Sequence, residues 1–96
     1  MRIATLTTIL TLALSTGVQA GGDYDCEAVA GQAELVMTAR QVGVSLSEAL
    51  EAMGDSEMGR VMVINAYELS RMHTEEYQQR MISDYRNLWH LACLKG

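Results

Sequence analysis

The chain has 96 residues, with twelve acidic and seven basic side chains, a net charge of −5, no proline and no phenylalanine. So acidic a sequence lacks the basic face that nucleic acid or an anionic membrane surface would require. Its length sets an upper bound of one small domain for whatever core it builds.

Residues 1–20 have the pattern of a cleavable secretion signal. Arg2 is the first basic residue, and a weakly apolar run from Ile3 to Val18 follows, rich in Leu, Ala, Ile and Thr. The run closes on Val18-Gln19-Ala20, which suits a cut after Ala20. It is short and threonine-rich for a span of about 30 Å of hydrocarbon. Asp23-Tyr24-Asp25 before Cys26 does not fit a lipid-attachment site. The expected mature chain is therefore residues 21–96, located in the periplasm or secreted, with no stable membrane anchor. It carries six basic residues against twelve acidic ones.

Both cysteines, Cys26 and Cys93, lie beyond that cut. An even cysteine count in a small exported domain reads as a disulfide. Closing so long a loop stabilises by about 4 kcal/mol in the chain-entropy description. There is no Cys-x-x-Cys, and the two distant cysteines and two histidines lack zinc spacing.

The pattern then predicts an all-α fold, a bundle of about four helices. The first begins near 24–26, where Asp23 and Asp25 suit a helix N-terminus. Cys26, Val29, Ala30, Ala33, Val36 and Met37 share one face, and Gly43 ends the helix. Ser45-Leu46-Ser47-Glu48 is a capping box with Val44 and Ala49 at the staple positions. It opens a short helix carrying Leu46, Ala49, Leu50 and Met53, stopped by Gly54. Asp55 or Ser56 caps a third helix, about 56–70. Its apolar face is Met58, Val61, Met62, Ala66 and Leu69, and Val63, Ile64 and Tyr67 make its other sides apolar as well. Such a helix is expected to sit centrally. Thr74 caps the last helix, with Glu75 and Glu76 in its first turn. Its stripe is Tyr77, Met81, Ile82, Tyr85, Leu88, Trp89, Ala92 and Cys93. Cys26 and Cys93 both point inward, so the first and last helices can be cross-linked.

Several strings also carry a resemblance. Arg40-Gln41-x-Gly43-x-Ser45-Leu46-Ser47-Glu48, Ala66-Tyr67-Glu68, Thr74-Glu75-Glu76-Tyr77-Gln78-Gln79 and Leu91-Ala92-Cys93-Leu94-Lys95 are dispersed over nearly all of residues 21–96. Together they resemble a family of small exported bacterial and prophage-encoded helical proteins with one early and one terminal cysteine. The resemblance implies export, helices and a disulfide, and it carries no activity.

The candidate sites compete with structural explanations. His73 beside Glu75 and Glu76 can be read as a metal or proton site, or as a loop histidine next to ordinary N-terminal acids. The structural explanation is favoured, and no metal and no cofactor is expected. His90 falls opposite the last stripe, facing solvent. No Gly-x-Ser-x-Gly turn or other nucleophile spacing suggests an enzyme. Met53, Met58, Met62, Met72 and Met81 suit either an adaptable binding surface or the filling of a core without phenylalanine. Arg40 and Asn65 interrupt apolar faces. They would line a polar pocket, or else cap a neighbouring helix end, with Arg40 also paired to a carboxylate.

Finally, Ala28, Leu35, Ala39 and Val42 form a second, weaker apolar strip opposite the core face of the first helix. This is the candidate partner surface, with Leu35 as anchor, and it is also compatible with a weak homodimer. The leading expectation is a periplasmic binding protein that acts on another envelope protein without catalysis. An acid-stress chaperone is the alternative, and a minor enzyme or metal carrier comes third.

Overall fold

The computed structural model describes residues 25–96, so the expected secretion signal and the expected cut after Ala20 lie outside the described residues. These residues form four helices and no strands: α1 (Cys26–Val42), α2 (Leu46–Met53), α3 (Glu57–Tyr67) and α4 (Glu75–Lys95). The chain is a small helical bundle, and Cys26 and Cys93 are joined in a disulfide with 5.6 Å between their Cα atoms.

Local signals set the helix starts. Asp25 Oδ1 accepts the amides of Glu27 and Ala28 at 3.0 and 3.3 Å. Ser45 accepts from Glu48 N, and Glu48 reaches back to Ser45 N, closing the capping box. Ser56 and Thr74 cap α3 and α4 by accepting the amides of Gly59 and Tyr77. Gly43 ends α1 in the left-handed region at φ 95°, where a Cβ would be strained and would also meet the Arg71 guanidinium.

The core gathers Val29, Ala33, Val36 and Met37 of α1, Ala49 of α2, Met62, Val63 and Ala66 of α3, and Ile82 and Tyr85 of α4. Met53, Met58 and Met81 pack at its margin, so these methionines and Met62 do fill space inside the bundle. Helix α1 packs against each of the other three and most extensively along α4. It, rather than α3, is the central element. The expectation for α3 fails because α3 is short and has room on its inner side for Gly59, Met62, Val63 and Ala66 alone. Val61 and Ile64 are left in solvent. The last stripe is likewise broader than its covering: Tyr77, Leu88 and Ala92 are exposed, because α1 and α3 cover one side of α4. Leu46 of the short helix is also exposed.

Helix α3 stops at Tyr67 instead of near residue 70. The carbonyls of Leu69 and Ser70 turn away from the helix axis to accept side chains of α1. Arg40 Nε and Nη2 donate to Leu69 O at 3.1 and 3.0 Å, and Gln41 Nε2 donates to Ser70 O at 3.1 Å. Gln41 Oε1 accepts the Met72 amide at 2.7 Å. The Gln41 side chain thus pairs with residues 70–72 as a neighbouring strand would, which suits its 1% exposure. In return, Arg71 Nε donates to the Gln41 carbonyl at 2.9 Å.

Candidate functional site

At 100° per residue, one side of α1 carries Ala28, Gly31, Leu35, Thr38, Ala39 and Val42, with no charge among them. The opposite side is occupied by the core, so this face is turned outward. Leu35 is 71% and Val42 64% exposed, Ala28 is exposed, and Ala39 is half-buried. Other large apolar residues also reach solvent. On α4, however, Tyr77, Leu88 and Leu91 share their side with Arg80, Asp84 and Lys95. On α3, Val61 and Ile64 lie between Glu57 and Glu68. The uncharged run belongs to α1.

At its N-terminal end this face opens into a cleft of about 410 Å³ between the starts of α1 and α3. Ala28, Val29 and Met58 supply the apolar wall, Gln32 and Ser56 the neutral polar groups, and Asp25 and Glu57 the carboxylates. No basic residue lines it. Gln32 is steadied by a contact from Nε2 to Met53 Sδ at 3.0 Å. Ala28 belongs to both the face and the cleft, so the two surfaces are continuous. The sequence placed Asp23 and Asp25 at one helix start and offered Asp55 or Ser56 as the cap of another, but nothing local to either showed that the two helix starts meet.

Neither Arg40 nor Asn65 borders this cleft, and the two are held by different partners. Arg40 stacks its guanidinium 5.2 Å from the Tyr67 ring centre and bonds the Leu69 carbonyl, and among the described residues it pairs with no carboxylate. The carbonyl at the open end of α3 takes up the guanidinium instead of the expected carboxylate. Asn65 holds the Tyr85 hydroxyl at 3.1 Å, and that hydroxyl donates to Met62 O at 2.6 Å. Burial pushes the Tyr85 hydroxyl above its ordinary pKa. The Trp89 indole opposes this shift, although its N–H is buried without a bond of good geometry. Tyr67 is also raised, by burial first, with Arg40 opposing.

His73, Glu75 and Glu76 are all exposed. Among the described residues, no three His, Cys, Asp or Glu side chains are placed to share a metal ion. His90 does not point to open solvent. It lies at the seam of α1 and α4 with its side chain 26% exposed, and its Nε2 is 3.7 Å from Glu27 Oε2. Arg86 beside it bridges Glu27 and Glu34 at 3.1 and 3.3 Å. The position was misread because α1 meets α4 along a line shifted from the centre of the apolar stripe.

Among the described residues, no helix is long and apolar enough to cross a membrane. No family model matches the chain. No curated protein matches it, and no solved structure does.

Proposed function

We propose that this is a small exported binding protein that engages another envelope protein through the outer face of α1, without catalysis. The observation that carries this reading is the uncharged side of α1, with Leu35 and Val42 exposed. A large apolar side chain in water on the most thoroughly braced helix is costly to keep unless something covers it. The bracing matters for recognition. The disulfide holds the start of α1, and the Gln41 and Arg71 bonds hold its end. A partner would meet a preformed surface, with little ordering cost on this side. Export is supported by the disulfide, which persists in oxidising compartments, and by the pattern of residues 1–20. The same features support membership of the small exported family named above.

The test is co-purification from the native envelope. The unaltered protein is expected to retain one stoichiometric partner, and Leu35→Glu is expected to lose it while keeping its circular dichroism spectrum. If the variant retains the partner, the interface lies elsewhere; if it unfolds, the strip is part of the core.

A second reading, an acid-stress chaperone, draws on the α1–α4 seam. Glu27 and Glu34 there hold Arg86, and Glu27 faces His90. In acid the chain as a whole loses its excess negative charge, and its basic side chains are left to repel one another. This reading requires new apolar surface at roughly pH 3, seen as binding of a hydrophobic dye. An unchanged dye signal across that range would remove it.

A further inference from the structure

We infer that the occupant of this surface is a cationic amphipathic helix of the partner, with its apolar stripe along α1 and a lysine or arginine side chain seated in the cleft. The inference rests on the binding reading above and adds the partner's chemistry. Three observations lead to it. First, the outer face of α1 is an uncharged track about 21 Å long from Ala28 to Val42, the footprint of an amphipathic helix rather than of a compact loop. Second, the track runs through Ala28 into a cleft whose apolar wall suits the methylene stem of a long side chain. Third, the charged groups lining that cleft are the carboxylates of Asp25 and Glu57. Neither is in an ion pair among the described residues, and no basic residue lines the cleft.

The wider charge agrees. From residue 25 to 57 the chain has seven acidic residues and one basic residue, Arg40, which is engaged with Leu69 and Tyr67; Glu27 and Glu34 are taken up by Arg86, and Asp25, Glu48, Glu51, Asp55 and Glu57 have no ion pair among the described residues. A second copy of this chain would bring the same acidic surface against itself, whereas a cationic helix would be attracted to it.

The experiment uses the purified, disulfide-bonded protein and two fluorescently labelled model helices with the same leucine stripe. One carries lysine on its polar side and the other glutamate. Fluorescence anisotropy is expected to show binding of the lysine helix, weakening as salt rises, and no binding of the glutamate helix. Leu35→Glu is expected to weaken the lysine helix by at least about tenfold. The Asp25→Asn, Glu57→Gln double variant keeps a good N-cap, because asparagine caps as well as aspartate. It is expected to weaken binding several-fold and flatten the salt dependence, with helix content unchanged.

Equal binding of both helices, or no response to the double variant, overturns the charge-matched partner. If neither helix binds while Leu35→Glu still removes the native partner, this inference fails and the binding reading stands. Concentration-dependent dimerisation abolished by Leu35→Glu, with no helix binding, assigns the surface to a second copy and also overturns the inference.

Discussion

Gln41 is the most demanding single residue in the bundle. It is a buried amide with both ends used, donating to Ser70 O and accepting from Met72 N. Truncation to alanine would remove its partners and leave two backbone groups without them, and each such group costs about 1–3 kcal/mol. Gln41→Ala is therefore expected to lose about 2–4 kcal/mol in chemical denaturation, the largest loss of any polar substitution on α1. A loss under about 0.5 kcal/mol would mean that the 68–74 connection holds itself. Tyr85 makes a different demand. Its hydroxyl is buried and donates to Met62 O, so Tyr85→Phe is expected to cost about 1 kcal/mol at neutral pH. Burial raises the folded-state pKa of Tyr85 and also of Tyr67, so the protonated form is the one the fold favours. That contribution is complete below the ordinary phenol value of about 10. It is lost as pH rises from there through the folded values, because the unfolded chain ionises first. Urea midpoints are expected to fall above about pH 10, and to fall less in Tyr85→Phe.

At the scale of elements, the helices differ in what holds them. The short α2 buries Ala49 fully and leans on its capping box, so Ser45→Ala is expected to cost about 1 kcal/mol and to increase hydrogen exchange across α2 before the rest. Helix α1 is held along its whole length. Its end depends on Gly43 at φ 95°, with Arg71 packed over the site a side chain would take. Gly43→Ala is expected to destabilise by about 1–2 kcal/mol through the left-handed backbone alone, and thermal melting measures it. Capping residues and the glycine stop of α1 were legible in the sequence because they act within a few residues of themselves. The end of α3 was not. No glycine or proline marks it, and it is set by Arg40 and Gln41, which reach across from another helix.

For the whole molecule, the disulfide is the long-range tie. Cys26 and Cys93 stand 67 positions apart in sequence, so the bond removes a large share of the freedom of the unfolded chain. Reduction, or replacement of either cysteine, is expected to cost about 2–5 kcal/mol. In a domain of this size that is comparable to the entire stability, so the reduced protein is expected to lose cooperative melting at moderate temperature. Mass spectrometry of protein taken directly from the envelope is expected to show the oxidised form. The tie also fixes the N-terminal end of α1, and with it the cleft into which the outer face runs.

The four helices, their caps, the inward direction of both cysteines and the outward strip of α1 follow from the sequence alone. Each depends on spacing along one helix, and helical geometry repeats every 3.6 residues whatever the neighbours do. The helix that would be central was decided by tertiary structure, because several faces are apolar enough to be buried and a small bundle cannot bury them all. The same competition left Val61, Ile64 and Leu88 outside. Gln41 illustrates the limit. It stands four residues after Met37 on the buried side, a position readable from the sequence. The carbonyl and amide it meets lie about thirty residues further on, and only the packing of α1 against the 68–74 connection brings them within reach.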